Sequence, residues 1–257
     1  MKNNTINSRL IMSYFKHFSG MLIIIFLFGC TSTDVYILMG QSNMAGRGVV
    51  DSTANTYLSD QVLMLTKEDS MVIAQHPLHF DKPKIAGVGP GIKFGYELSR
   101  NTRNKILLVP CAVGGTSIEL WSPGMHDSIT NTFPYDDALR RIEVAMQNGK
   151  IRGVLWHQGE GNRRSEEYID DLVELIQRVR AFVGDDELPF VAAELGYYLK
   201  DVEVFNKNLR EELPKRLNNV AIVSAEGLTH KGDGVHFDAR SAEILGNRYA
   251  EAMKKLQ

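Results

Sequence analysis

Val35-Tyr36-Ile37-Leu38-Met39 runs without a break into Gly40-Gln41-Ser42-Asn43-Met44. An unbroken apolar run this short predicts a strand buried on both faces, as in a parallel sheet covered by helices. Gly40 lets the backbone turn sharply where the run ends. Ser42 therefore stands at a strand exit, the edge where open α/β sheets hold their ligands. Its natural partner lies near the other end of the chain, in Asp233-Gly234-Val235-His236. Together these residues can supply a nucleophile, a base and an orienting carboxylate, enough for acyl transfer.

Working outward, short apolar runs alternate with amphipathic stretches, the pattern of a mostly parallel sheet between helical layers. The expected strands are 35–39, 106–110, 153–157, 189–193 and 220–224, about five in all, with 62–65 as an edge strand or hairpin arm. Tyr168–Val183 carries Ile169, Leu172, Val173, Ile176 and Val179 at helical spacing, and Gly184 closes it. Residues 92–101, 136–148, 202–217 and 239–256 read as further helices, and Arg178 and Arg180 fall outside the apolar stripe of 168–183. Residues 51–88 are the least regular and read as excursions over the sheet edge.

The 257 residues, 44% hydrophobic and 23% charged, suit one α/β domain of the larger kind. A formal net charge of −2 and the lack of a basic stripe with interleaved aromatics argue against a nucleic-acid partner. Residues 1–30 read as a targeting segment and 31–257 as the single folded domain. Lys2, Arg9 and Lys16 precede the apolar run Met21–Phe28, too short to span a bilayer comfortably and fit for a signal-peptide core. Leu27-Phe28-Gly29-Cys30 resembles a lipobox with Cys30 as the lipidated residue. That pattern implies a bacterial envelope lipoprotein, or a secreted protein if Cys30 is not modified. Translation can start at Met1 or Met12. The other cysteine, Cys111, sits among apolar residues and reads as an inert buried thiol.

Three further clusters follow strands or precede the last helix: Gly114-Gly115-Thr116-Ser117, His157-Gln158-Gly159-Glu160 and Asp233–His236. Strand exits of a parallel sheet converge in space. His236 can take the Ser42 proton, and Asp233, three residues earlier, can reach the far ring nitrogen. The Ser42 N–H, a glycine N–H in the Gly114-Gly115 turn and the Gln158 side-chain amide are candidate oxyanion donors. Each residue taken alone has a plainer reading: a helix cap for Ser42, a turn for Asp233-Gly234, a structural histidine for His236. Glu160 either buttresses His236 or its loop, or faces water. Trp121 either walls a sugar site or caps the sheet from within. Asn43, Arg47 and Asn162 either touch substrate or hold loops.

Five blocks carry a resemblance: Tyr36–Gly48, Gly87–Leu98, Ala112–Trp121, Val154–Asn162 and Asp233–Phe237. Their order and content are similar to the carbohydrate-esterase branch of the SGNH hydrolases, which includes sialate O-acetylesterase-like proteins and family 6 acetyl xylan esterases. The resemblance implies a three-layer α/β/α fold of flavodoxin-like form, with no metal or cofactor. It also implies a Ser42–Asp233–His236 triad, an oxyanion hole of Ser42, Gly115 and Gln158, and an acetylated carbohydrate as the partner. Gln41 and Gln158 stand where the wider superfamily has aspartate and asparagine, as this branch prefers. Two rivals stand beside this reading. One is metal-assisted hydrolysis through His157, Glu160, Asp233 and His236, which lack a compact ligand spacing. The other is a catalytically inactive carbohydrate-binding envelope lipoprotein.

Overall fold

The computed structural model describes residues 32–257 apart from 53 and 55. Seven strands form one sheet: β1 (Thr33–Gly40), β2 (Val62–Leu65), β3 (Met71–Ile73), β4 (Lys105–Pro110), β5 (Lys150–His157), β6 (Phe190–Ala193) and β7 (Val220–Val223). Their spatial order is β3-β2-β4-β1-β5-β6-β7. Every pairing is parallel except β2 with β3. The helices are α1 (Ser42–Ala45), α2 (Gly91–Ser99), α3 (Pro134–Met146), α4 (Tyr168–Val183), α5 (Val202–Arg216) and α6 (Ala239–Leu256).

Strand β1 explains the layering. Val35, Ile37 and Met39 pack into a core with residues of α3, α4 and α5. Tyr36 and Leu38 point the other way, into a core with residues of α2 and α6. All five are at most 2% exposed, which is why the run shows no polar alternation. β1 lies between β4 and β5; the chain lays down β2, β3 and β4 on one side of β1, with β4 returning next to it, and then builds outward through β5, β6 and β7 on the other. The exits of β1, β4 and β5 share one edge, the position that open α/β sheets use for ligands.

The expected strands are all present, but the sheet has seven rather than about five. Of the two roles expected of 62–65, β2 is a hairpin arm paired with β3 and not an edge strand, since it also lies parallel to β4 and β3 takes the edge. β3 itself escaped the sequence reading because Met71, Val72 and Ile73 are only three residues, all exposed. Helix α3 buries a face that includes a charge. Met146 is 43% exposed, while Tyr135, Ala138, Arg141, Ile142 and Ala145 form the buried face. Arg141 survives there because its fork donates to three carbonyls: Pro110 (2.9 Å), Leu65 (2.8 Å) and Thr66 (3.0 Å). It thereby ties the exits of β2 and β4 together. Arg180, expected outside the stripe of α4, is likewise buried and donates to the carbonyls of Leu188 and Asn218. Cys111 is buried, and burial pushes its thiol up to about 11, which keeps it protonated and inert. The signal-peptide and lipobox reading of residues 1–30, Cys30 included, falls outside the described residues.

Two buried histidines make stability depend on pH. Burial lowers His76 to about 4. Burial likewise lowers His79 to about 4, although the Asp81 carboxylate opposes it. The unfolded chain takes up protons at these sites near the ordinary histidine value, while the folded chain resists them. Their contribution is therefore complete above about pH 6.5 and is lost as pH falls toward 4. For His76 the expected loss is on the order of 3 kcal/mol, and His79 adds a loss of the same sign. Urea midpoints near neutral pH and near the lowered histidine values check this, and replacing His76 with Gln should flatten the difference.

Candidate active site

Gly40 ends β1 opposite His157 of β5. Its φ of +126° suits glycine, and a Cβ there would lie 2.1 Å from the His157 carbonyl oxygen. That oxygen instead accepts a hydrogen bond from Gln41 N at 2.8 Å. The close approach delivers Ser42 to the sheet edge as the first residue of the single turn α1. Ser42 is 6% exposed.

His236 Nε2 lies 3.0 Å from Ser42 Oγ, and His236 Nδ1 lies 2.7 Å from Asp233 Oδ2. The structure thus brings the three sequence-predicted residues into one hydrogen-bonded line, across 194 positions of sequence between Ser42 and His236. The other Asp233 oxygen, Oδ1, accepts from the backbone N–H groups of Val235 (3.0 Å) and His236 (2.9 Å). Partial burial pushes this carboxyl up, but the His236 N–H, the His236 ring and the Val235 N–H outweigh it and hold it well below the usual carboxylate range. Asp233 therefore stays ionised at any working pH and directs the Nδ1 proton toward itself. That leaves Nε2 free to accept from Ser42.

This geometry predicts the effect of Asp233→Asn. The two backbone N–H groups keep the amide oxygen of the substituted side chain at the Oδ1 position, so its NH2 must face His236 Nδ1. The ring would then carry its proton on Nε2, pointing at Ser42, and lose its role as acceptor. A fall in kcat of about 10³–10⁴ is expected, with the fold retained. Ester hydrolysis by the purified variant is the check.

The Gly114-Gly115 turn follows β4, and the preceding Val113 N donates to Gly40 O at 3.0 Å. The N–H groups of Ser42 and Gly115 donate to no acceptor among the described residues. Gly114 N donates to Asp81 Oδ2 (2.8 Å), and the same oxygen pairs with Arg47 Nη2 (2.6 Å). A Cβ on Gly114 would lie 2.3 Å from that guanidinium nitrogen. Thr116 Oγ1 donates to Val113 O (2.8 Å) and accepts from Trp121 Nε1 (3.1 Å). Trp121 is fully buried, edge-on to Trp156, so it caps the sheet from within and presents no face to a sugar.

Gln158 departs from its expected role. Its side-chain nitrogen donates to Asn162 Oδ1 (2.8 Å) and Thr116 O (3.2 Å), with Gln41 Oε1 at 3.3 Å. An amide has two hydrogens, so both are used inside the protein. Gln158 thus holds the Gly115-Thr116 turn from behind and does not offer a free donor to the hole. Asn162 Oδ1 also accepts from Ile118 N, which fixes its own orientation. Asn43 and Glu160 are buried and hydrogen bond to each other at 2.6 Å, so both support the site and neither faces solvent. His157 is fully buried, with Nε2 3.4 Å from Glu160. Among the described residues no three or more His, Cys, Asp or Glu side chains converge as a metal cage.

The family model for carbohydrate esterases described as sialic acid-specific acetylesterases matches residues 32–255. The chain belongs to this acetylesterase family. A probable carbohydrate esterase of Arabidopsis thaliana is 32% identical over 245 residues, covering 85% of this chain and 89% of the relative. The X-ray structure of that Arabidopsis protein superimposes with a TM-score of 0.76, covering 87% of this chain and 98% of the other. Human sialate O-acetylesterase is 26% identical over 165 residues, and the match spans 50% of this chain and 31% of the human protein. The crystal structure of NanS, 18% identical with a TM-score of 0.69 and covering 87% of this chain and 97% of NanS, shows the same fold.

In this acetylesterase-family chain, sequence reasoning missed the residues that hold the site from a distance. Asp81 lies in the segment read as loop excursions, and nothing in its neighbourhood announces a bond to Gly114, 33 positions away. His230 was not singled out either. Its Nδ1 accepts from Gly232 N (2.9 Å) and Gly234 N (3.0 Å), which bends the loop that presents Asp233 and His236. A histidine shortly before Asp233, with glycines on both sides of that aspartate, was the available signal.

Proposed function

We propose that the protein is a serine esterase that removes O-acetyl groups from carbohydrates. One observation carries the reading: Ser42, His236 and Asp233 form one hydrogen-bonded line, and the backbone N–H groups of Ser42 and Gly115 have no acceptor among the described residues. Ser42 Oγ attacks the acetyl carbonyl while His236 Nε2 takes its proton. The oxyanion rests on the Ser42 and Gly115 amides. Collapse breaks the bond to the sugar oxygen, which leaves with the proton from His236. Water, deprotonated by the same ring, then attacks acetyl-Ser42 and releases acetate.

Family membership supports sialate esters as the first substrate class. One cation at the rim supports it too. Lys82 Nζ stands 3.5 Å from where a Gly115 side chain would begin and has no ion-pair partner among the described residues. A free ammonium there would attract a sugar bearing a carboxylate more than a neutral one. The test is acetate release from O-acetylated sialic acids and from acetylated xylan, with and without excess chelator. Release from the sialate esters, unchanged by chelator, is expected. Glycan binding without acetate release would instead favour a binding protein. The Cys30 pattern supports an envelope location, and mass spectrometry of the native amino terminus checks it.

A further inference from the structure

The geometry assigns Asn43 as the positioning residue that sets the Ser42–His236 distance. It clamps the backbone on both sides of His236 to the turn that carries Ser42. Asn43 Oδ1 accepts from Phe237 N at 3.0 Å, and Asn43 Nδ2 donates to Val235 O at 3.2 Å. One amide thus meets the two main-chain groups that flank the base, one donor and one acceptor, as a neighbouring strand would. The second Nδ2 hydrogen goes to the buried Glu160 carboxylate at 2.6 Å. That bond stops the amide from flipping, because a flip would turn its oxygen toward Glu160 and toward Val235 O. Burial pushes the Glu160 carboxyl up, but His157 and Asn43 outweigh this and hold it below the usual range, so it remains an anionic acceptor.

The hydrogen bonds inside the loop do not reach the nucleophile's turn. Asp233 with His236, His230 with Gly232 and Gly234, and Lys231 N with His236 O are bonds within 230–236. They shape the loop without locating it. Tyr198 Oη also reaches Val235 O, at 3.1 Å, but it comes from the segment after β6 and not from the nucleophile's turn. Among the described residues, Asn43 is the hydrogen-bonding link between the two segments besides the Ser42–His236 contact itself. It directly follows Ser42 in the chain, so nucleophile and base are held to one short rigid piece of backbone.

A consequence separates this role from a general structural one. Loss of the clamp should let Asp233 and His236 move as a unit, with their own contact intact. Proton transfer from Ser42 should suffer, while the titration of the Asp233–His236 pair should not. The role rests on Ser42 and His236 acting as nucleophile and base, so the test has one readout that needs no turnover. In Asn43→Ala, kcat should fall by roughly 30- to 300-fold with KM within about twofold. The midpoint of the acid limb of the pH–rate profile should stay in place. The Phe237 amide, having lost its acceptor, should exchange with deuterium at least about tenfold faster.

Should that variant fail to fold, the exchange variant N43D/E160Q keeps the buried contact with donor and acceptor swapped. It sets a carboxylate against Val235 O, and kcat should fall by a similar factor. Unchanged Phe237 protection in Asn43→Ala, a raised KM at constant kcat, or wild-type kcat in the exchange variant would each overturn the assignment. A wild type that hydrolyses no ester would defeat the functional reading alone, and the deuterium measurement would still decide the clamp.

Discussion

Ser42→Ala should lower kcat by about 10⁵–10⁶-fold while leaving the fold intact. The effect is this large because, among the described residues, His236 Nε2 bonds no hydroxyl or thiol besides Ser42 Oγ. Cys111 is buried with its thiol held protonated. His236 without its partner can only activate water, and the open Ser42 and Gly115 amides then provide the residual catalysis. His236→Ala should cost nearly as much, and the double variant little more than either alone, because the two act as one unit. Among the described residues Ser42 Oγ hydrogen bonds His236 and nothing else, so melting temperatures should change little. Turnover of an acetyl ester and thermal melts, run together on both variants, check this.

Gly40→Ala should have the largest effect on stability. The added carbon would meet the His157 carbonyl oxygen at 2.1 Å, its carbon at 2.7 Å and the His157 nitrogen at 2.9 Å. These are backbone atoms of a central strand, and the oxygen is already bound by Gln41 N. Relief therefore requires parting β1 from β5 where the nucleophile leaves the sheet. A cost of about 4 kcal/mol or more is expected, a large part of the roughly 5–15 kcal/mol that holds a domain together. Activity should vanish with it, since Ser42 would be carried out of line. Gly124→Ala is the control: φ is +73° there, but nothing lies within 4 Å of the added carbon. Only the left-handed backbone penalty of about 1–2 kcal/mol applies. Urea denaturation of the two variants should separate steric from conformational cost.

How much of this was readable in the sequence follows from what each feature depends on. The central strands were legible because a strand buried on both faces must be apolar throughout, as Val35–Met39 is. Helix α4 was legible because its stripe and its closing Gly184 are local. The meeting of Ser42 with His236 followed from topology: both lie at the carboxyl edge of one parallel sheet. Features resting on pairwise geometry were not legible. Trp121 could face either way until the Thr116 hydroxyl was seen to accept its N–H. Gln158 has the chemistry of an oxyanion donor, and only the positions of Asn162 and Thr116 show its hydrogens to be taken. Arg180 looked like a surface charge, and Arg141 gave no signal, because sequence spacing cannot show which carbonyls a long side chain will reach. β3 was too short and too exposed to have a pattern.

Covalent labelling with a fluorophosphonate, followed by peptide mass spectrometry, tests the proposed chemistry most directly. A hydroxyl activated by His236 should yield a single adduct, on Ser42. Labelling should slow in the presence of an acetylated sugar and disappear in Ser42→Ala. An adduct on a different serine, or none on a protein that still hydrolyses acetyl esters, would contradict the assignment of Ser42 as the nucleophile.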